Sequence, residues 1–190
     1  HEWQLNPNDA IQIAIECEDA ARAYDKRITN SEGATVGTNS GVRAYGNSHG
    51  FIASYPKTSH SVSCVVVGEA DGAMERDYWY TAARDANLLE TAASVGQKAA
   101  ERTVARLGGR KIETGTASVL YAPESARGFI GHLIGAIAGS SQYRRSSFLL
   151  DAAGERIFPE FMQLQERPHL LGAMASASYD AEGVQTSDRD

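Results

Sequence analysis

At 190 residues, 42% hydrophobic and 22% charged, the chain has the size and composition of one globular domain or two small ones. Its net charge of -6 argues against a nucleic-acid partner, which needs clustered Lys and Arg, and the pair Arg144-Arg145 is too short to reverse that. No apolar run reaches the roughly 18 residues needed to span a bilayer, so no membrane partner is expected.

The N-terminus "HEWQLNPNDA" has neither the basic region nor the apolar core of a signal peptide. His1 stands where a natural start would have methionine and fits a tag remnant. "NPNDAIQIAIECEDAARAYD" is amphipathic and predicts a helix, capped by Asn6 or Asn8 with Pro7 in its first turn. From Thr35 to Ala83 the period changes to two. The segments "ATVGTNSGVRAYG", "GFIASYPKTS", "HSVSCVVVGEA" and "AMERDYWYTAA" predict about four strands. Their connectors "GNSHG" and "EADGA" supply residues that hairpins need, so the strands are expected to be antiparallel neighbours. An edge of such a sheet is where an extended peptide can add as a strand.

"TAASVGQKAAERTVARLGG" predicts a second helix, with Ala100, Val104 and Leu107 as its apolar stripe and Gly108-Gly109 as its stop. "GGRKIETGT" is the expected domain boundary, and "ASVLYA" is expected to be a buried strand. The tail from Arg167 is polar and irregular, and its charged ending, without a capping element, is expected to fall short of the natural end of the fold. Cys17 sits in the helical pattern and Cys64 in a strand pattern. Both are expected to be reduced core residues of a cytosolic protein.

"GFIGHLIGAIAGSSQYRRSSFL", residues 128–149, reads as a helix although each interior glycine costs roughly 1 kcal/mol relative to alanine. At 100° per residue Gly128, Gly131, Gly135 and Gly139 share one side, within about 80°. Phe129, Ile130, Leu133, Ile134 and Ile137 cover the other side, and His132 stands at the border. A glycine stripe permits close approach of another backbone, so this face is expected to pack against one. A helical zinc site needs paired ligands one turn apart. Around His132 no His, Cys, Asp or Glu stands three to five residues away. His49, expected in a turn, His60, expected at a strand start, and His169 are scattered. Surface or hydrogen-bonded roles are expected for them. No nucleophile elbow or P-loop is present.

Five motifs, "ITNSEG", "GNSHGF", "MERDY", "GAIAG-x-x-x-YR-x-SSFL" and "D-x-EGV", together resemble the PmbA/TldE branch of the TldD/PmbA family over nearly the whole chain. The resemblance implies an α+β fold: helices with an antiparallel sheet, followed by the start of a β-rich C-terminal domain. It implies that residues 1–112 are the end of an N-terminal α/β domain and residues 113–190 the start of an incomplete C-terminal one. It further implies a cytoplasmic zinc metallopeptidase built from two subunit types and acting on unfolded or modified peptides. The TldD-type catalytic subunit carries a His-Glu-x-x-x-His helix. That helix aligns with Ile130 to Gly135, so the ligand positions hold Ile130, Gly131 and Gly135, and no register restores the motif. The resemblance therefore implies a non-catalytic partner with no catalytic residue, metal or cofactor of its own, zinc being in the TldD-type subunit. Gly131, His132, Gly135 and Gly139 would mark a degenerate active-site helix that packs or lines a peptide. Two alternatives stay open: a peptidase active by itself, and a protein-level modulator of DNA gyrase.

Overall fold

The structure, a computed structural model, describes residues 1–189. They form two compact units, residues 1–110 with 165–189 and residues 111–164.

In the first unit helix α1 (Pro7–Tyr24) starts as the sequence predicts. Asn6 is the N-cap, its side chain accepting from the Asp9 N–H at 3.0 Å, and Pro7 occupies the first turn. Three strands follow rather than four: β1 (Ile28–Gly46), β2 (Ile52–Ala70) and β3 (Ala73–Ala83), in the antiparallel order β1-β2-β3. The two middle segments fuse because "KTSHS" contains no residue that breaks β backbone, and β2 continues through it. His60 consequently lies inside β2, where a strand start was expected. Along β2 burial alternates: Thr58, His60, Val62, Cys64, Val66 and Gly68 are buried and the residues between them are not. That alternation is the period-two signature of a sheet with one covered face.

The cover is α1 with α2 (Ala92–Arg106), which pack on each other and on the sheet. Their core joins Cys17, Ala21, Ile28, Val62, Cys64, Val66, Val95, Ala99 and Ala100. Thr91 caps α2 and Gly108, at φ +75°, follows its end. The deepest face of α2 runs through Val95, Gly96, Ala99, Ala100 and Thr103; of the predicted stripe Ala100 is fully buried, Val104 packs against the core and Leu107 lies half-buried just past the helix end. Thr103 Oγ1 donates to the Ala99 carbonyl at 2.9 Å and accepts from the Asp77 N–H at 3.1 Å, tying α2 to β3. Thr103→Val keeps the shape and removes both bonds. It is expected to cost about 1–2 kcal/mol, read from urea unfolding.

Cys17 and Cys64 are both buried and free. The hydrogen bond to Cys64, together with burial, pushes the Cys17 thiol above the usual thiol range, while the same hydrogen bond lowers that of Cys64; both sulfurs are fully buried, away from solvent. Between α1 and β1, Asp25 accepts from the Arg27 backbone N–H at 2.9 Å and from its guanidinium at 3.0 and 2.7 Å. These contacts lower the Asp25 pKa from 3.8 to about 2. A depressed carboxylate stabilises the fold above its unfolded pKa, and that contribution is lost as pH falls through about 2. Asp25→Asn is expected to flatten the pH dependence of the urea midpoint between about 4 and 2, seen by fluorescence.

Residues 165–189 fold back onto the first unit. Arg84 donates to the carbonyls of Ala173 at 2.7 Å and Met174 at 2.9 Å. Tyr179 is buried among Tyr45, Phe51 and Tyr55, with its hydroxyl donating to the Ala53 carbonyl at 3.1 Å. After β3 the bridges recorded among the described residues are the isolated antiparallel pairs Glu166↔Arg189 and Tyr179↔Gln185. The α+β class expected from the sequence, helices with an antiparallel sheet, is the one the chain adopts.

In the second unit, α3 (Pro123–Ile137) is followed by the short α4 (Gly139–Tyr143). "ASVLYA" is not a buried strand. Val119 is 65% and Leu120 98% exposed, and no described residue pairs with this backbone. An apolar run becomes a strand only where a partner takes its N–H and C=O groups.

Candidate functional site

Residues 128–149 do not form one helix. The chain leaves helical geometry at Ala138, at φ -57° and ψ 134°, and resumes in α4. Gln142 supports the break, its Nε2 donating to the freed Ala136 carbonyl at 2.7 Å. After Tyr143 the chain turns through Arg145, at φ +53°, and the Ser146 N–H donates to the Ser141 carbonyl at 2.9 Å.

The glycine stripe is open. A Cβ built on Gly128, Gly131, Gly135 or Gly139 would meet nothing within 4 Å. Among the described residues the expected close approach is absent, because α3 buries only Leu133 and Ala136. Phe129, Ile134 and Ile137 on the other side are also about half exposed. Of the marked residues, Gly131, His132 and Gly135 lie exposed on α3, while Gly139 opens α4. The close approach occurs in α2 instead. At Gly96 a Cβ would lie 2.0 Å from the Cys17 carbonyl oxygen. Reading the sequence missed Gly96, since one glycine inside an alanine-rich helix carries no distinguishing signal.

α3 does not fit a zinc ion. One turn from His132 stand Gly128, Phe129, Gly135 and Ala136, none with a donor atom in its side chain. Among the described residues no group of three His, Cys, Asp or Glu side chains is placed to hold a metal. A cleft of about 370 Å³ beside α4, lined by Ile137, Gln142, Leu149, Asp151 and Ile157, contains one ionisable group, and Arg145 approaches it at 3.8 Å. That cleft offers no acid–base pair.

The remaining histidines are held by hydrogen bonds or lie on the surface. His60 is fully buried. Its Nε2 lies 2.8 Å from the His1 carbonyl, which can only accept, so Nε2 carries the proton and Nδ1 accepts from the Thr38 hydroxyl at 2.9 Å. His169 Nε2 meets Thr186 Oγ1 at 3.0 Å, and His49 lies exposed in the hairpin turn.

The motifs of the first unit meet in pairs. Glu32 of "ITNSEG" and Arg76 of "MERDY" form an ion pair at 2.6 Å across β2. The "GNSHGF" turn is organised by Asn47, whose Oδ1 accepts from the His49 and Phe51 N–H groups at 3.0 and 3.2 Å. Its Nδ2 reaches the Glu182 carbonyl at 3.4 Å, inside "D-x-EGV". There Asp180 Oδ1 accepts from the Glu182 and Val184 N–H groups, both at 2.9 Å, and Gly183 sits at φ +82° against Tyr45 and Phe51. One pair of motifs thus meets in an exposed ion pair across the sheet, and the other joins the hairpin tip to the tail.

Fold and site together define an α+β protein of two helices on a three-stranded antiparallel sheet, with a separate helical unit. The chain belongs to the PmbA/TldD metallopeptidase family: residues 1–107 match the PmbA/TldA metallopeptidase central domain and residues 114–190 match the C-terminal domain. It is 47% identical to Metalloprotease PmbA of Escherichia coli O157:H7 over 190 residues, and 41% identical to a Metalloprotease PmbA homolog of Haemophilus influenzae. Each match takes in the whole chain and 42% of the relative, so the chain spans less than half the length of these relatives. Among solved structures it is similar to a candidate modulator of DNA gyrase from Bacteroides thetaiotaomicron, at 30% identity and a TM-score of 0.90 over 97% of this chain and 42% of that one. TldE from Thermococcus kodakarensis shares the fold, at 19% identity and a TM-score of 0.73, with 97% of this chain and 42% of that one covered.

Proposed function

We propose that this chain is part of a non-catalytic, TldE/PmbA-type subunit that pairs with a zinc-carrying TldD-type subunit in processing peptides. The observation that carries the reading is α3. At the positions aligned with a catalytic zinc helix it presents Ile130, Gly131 and Gly135, with open space at both glycines. A helix that keeps an intrinsically costly sequence without using it for internal packing is consistent with a surface that another backbone meets. Cytoplasmic placement belongs to the same proposal. It agrees with the two free thiols, and no described helix is long and apolar enough to cross a membrane.

Gly135→Leu tests the role of this face. Since the site is open, the substitution is expected to leave the chain as stable or raise stability by roughly 0.5–1 kcal/mol through helix propensity. It is also expected to weaken co-purification with a partner bearing His-Glu-x-x-x-His at least tenfold. A lowered melting temperature would place the stripe in internal packing, and undiminished pairing would remove it from the interface.

A further inference from the structure

We infer that Cys17 and Cys64 are a redox-responsive pair: oxidation by peroxide joins them in a disulfide that locks α1 to the sheet, and a thiol reductant releases it. The inference goes beyond the subunit role proposed above and does not depend on it, because it rests on the packing of α1 against β2.

The chain has two cysteines, one on α1 and one in β2. They are far apart in sequence, yet their side chains meet: the two thiols share a hydrogen bond in the core between helix and sheet. Cys64 stands in the middle of the ladder, opposite Ala34 on β1 and Trp79 on β3. It points to the covered face of β2 with Val62 and Val66, and Cys17 shares the buried face of α1 with Ala21. Both residues are fully buried and both thiols are free. Packing alone does not call for sulfur at either place. The rest of this cluster, Ala21, Val62, Val66 and Ala99 among them, is hydrocarbon, and a buried thiol packs as one more small hydrophobe. What two adjacent thiols add is the ability to exchange two S–H bonds for one S–S bond.

A disulfide needs roughly 2 Å between the sulfurs, and two side chains already hydrogen-bonded through sulfur are the neighbours from which it forms. The two sulfurs are not equivalent. Their shared hydrogen bond holds the Cys64 thiol below its ordinary value and Cys17 above it, so Cys64 supplies the thiolate and Cys17 keeps its proton. Hydrogen peroxide suits a closed core because it is close to water in size. The Cys64 thiolate attacks one peroxide oxygen and the O–O bond breaks. Cys64 becomes a sulfenic acid, and the departing hydroxide takes up the proton that Cys64 gave up. The Cys17 sulfur then attacks the Cys64 sulfur. The S–S bond forms, the S–O bond breaks, and the hydroxyl leaves with the Cys17 proton as water. In sum two thiols and one peroxide give one disulfide and two waters, each sulfur losing one electron and the peroxide gaining two. The adjacent thiol also stops oxidation at this step, before sulfinic acid forms. The new bond closes the long loop between α1 and β2, which restricts the unfolded chain and stabilises the folded one.

The test is peptide mapping of the full-length protein after exposure to hydrogen peroxide, with remaining thiols blocked before digestion. Most chains are expected to yield the tryptic peptide ending at Arg22 linked to peptide 58–76, lighter than the two thiol peptides together by the two lost hydrogens. Dithiothreitol should restore both thiols. The oxidised protein should melt roughly 5–10 °C above the reduced one. Cys17→Ser removes the resolving thiol, and peroxide should then leave at least tenfold more sulfinic acid on Cys64. If that variant fails to fold, the linked peptide and the melting temperature of the unsubstituted protein decide. Two thiols that are both still alkylated after peroxide and unfolding overturn the inference. So do links between two chains in place of links within one, or an oxidised form that melts no higher than the reduced one.

Discussion

Gly96→Ala is expected to destabilise the first unit by about 3 kcal/mol or more, which for a chain of this size lowers the melting temperature by roughly 10 °C. The added methyl would sit 2.0 Å from the Cys17 carbonyl oxygen, 3.0 Å from its carbon and 3.1 Å from the Ala21 nitrogen. All three atoms are backbone of α1, so no side chain can swing aside. The helices must separate, and the contacts of Cys17, Ala21, Val95 and Ala99 loosen together. Alanine normally improves a helix interior by roughly 1 kcal/mol over glycine. The overlap exceeds that gain, so the sign of the effect is itself diagnostic. Thermal unfolding followed by circular dichroism checks it, and an unchanged midpoint would show that α1 and α2 are further apart than described.

Gly183→Ala is expected to release the tail from the hairpin tip. Two penalties combine. The residue is at φ +82°, where a Cβ costs roughly 1 kcal/mol, and the methyl would meet Phe51 Cδ1 at 2.7 Å and Tyr45 Cε1 at 2.8 Å. Together they are expected to cost about 2–3 kcal/mol, concentrated in the docking of residues 178–186. Rings can rotate where backbone cannot, so the core of helices and sheet should survive. Limited proteolysis is the reading: cleavage within the tail should rise about thirtyfold or more in the variant, with the first 110 residues remaining resistant. Uniform loss of resistance would mean that the tail and the core unfold as one.

Much of the fold was legible because it depends on local chemistry. The Asn6-Pro7 cap, the change of period after α1 and the turn residues around Asn47 and Gly72 are each set by neighbours in sequence. The fusion of two predicted strands at "KTSHS" was a question of whether polar residues could stay in a ladder. His60 answers it through bonds to Thr38 and His1, which are remote in sequence. "ASVLYA" failed for the opposite reason: its pattern suits a strand, but a strand exists only with a partner. The glycines show the same limit. Four at helical spacing on 128–139 carried a signal and proved open, whereas Gly96, with no pattern at all, marks a close approach of two helix backbones. The lack of paired ligands around His132 could be read from spacing alone, since side chains three to five residues away are the only ones a helix brings beside it.

The central claim is that this protein supplies no zinc ligand and works as the partner of a subunit that does. The most direct measurement is elemental analysis of the full-length protein purified alone and in complex with a TldD-type subunit. The account predicts substoichiometric zinc for the protein alone, unaffected by His132→Ala. In the complex it predicts one zinc per pair, lost when the partner's His-Glu-x-x-x-His helix is altered. One zinc per chain in the protein alone, lost on His132→Ala, would contradict it.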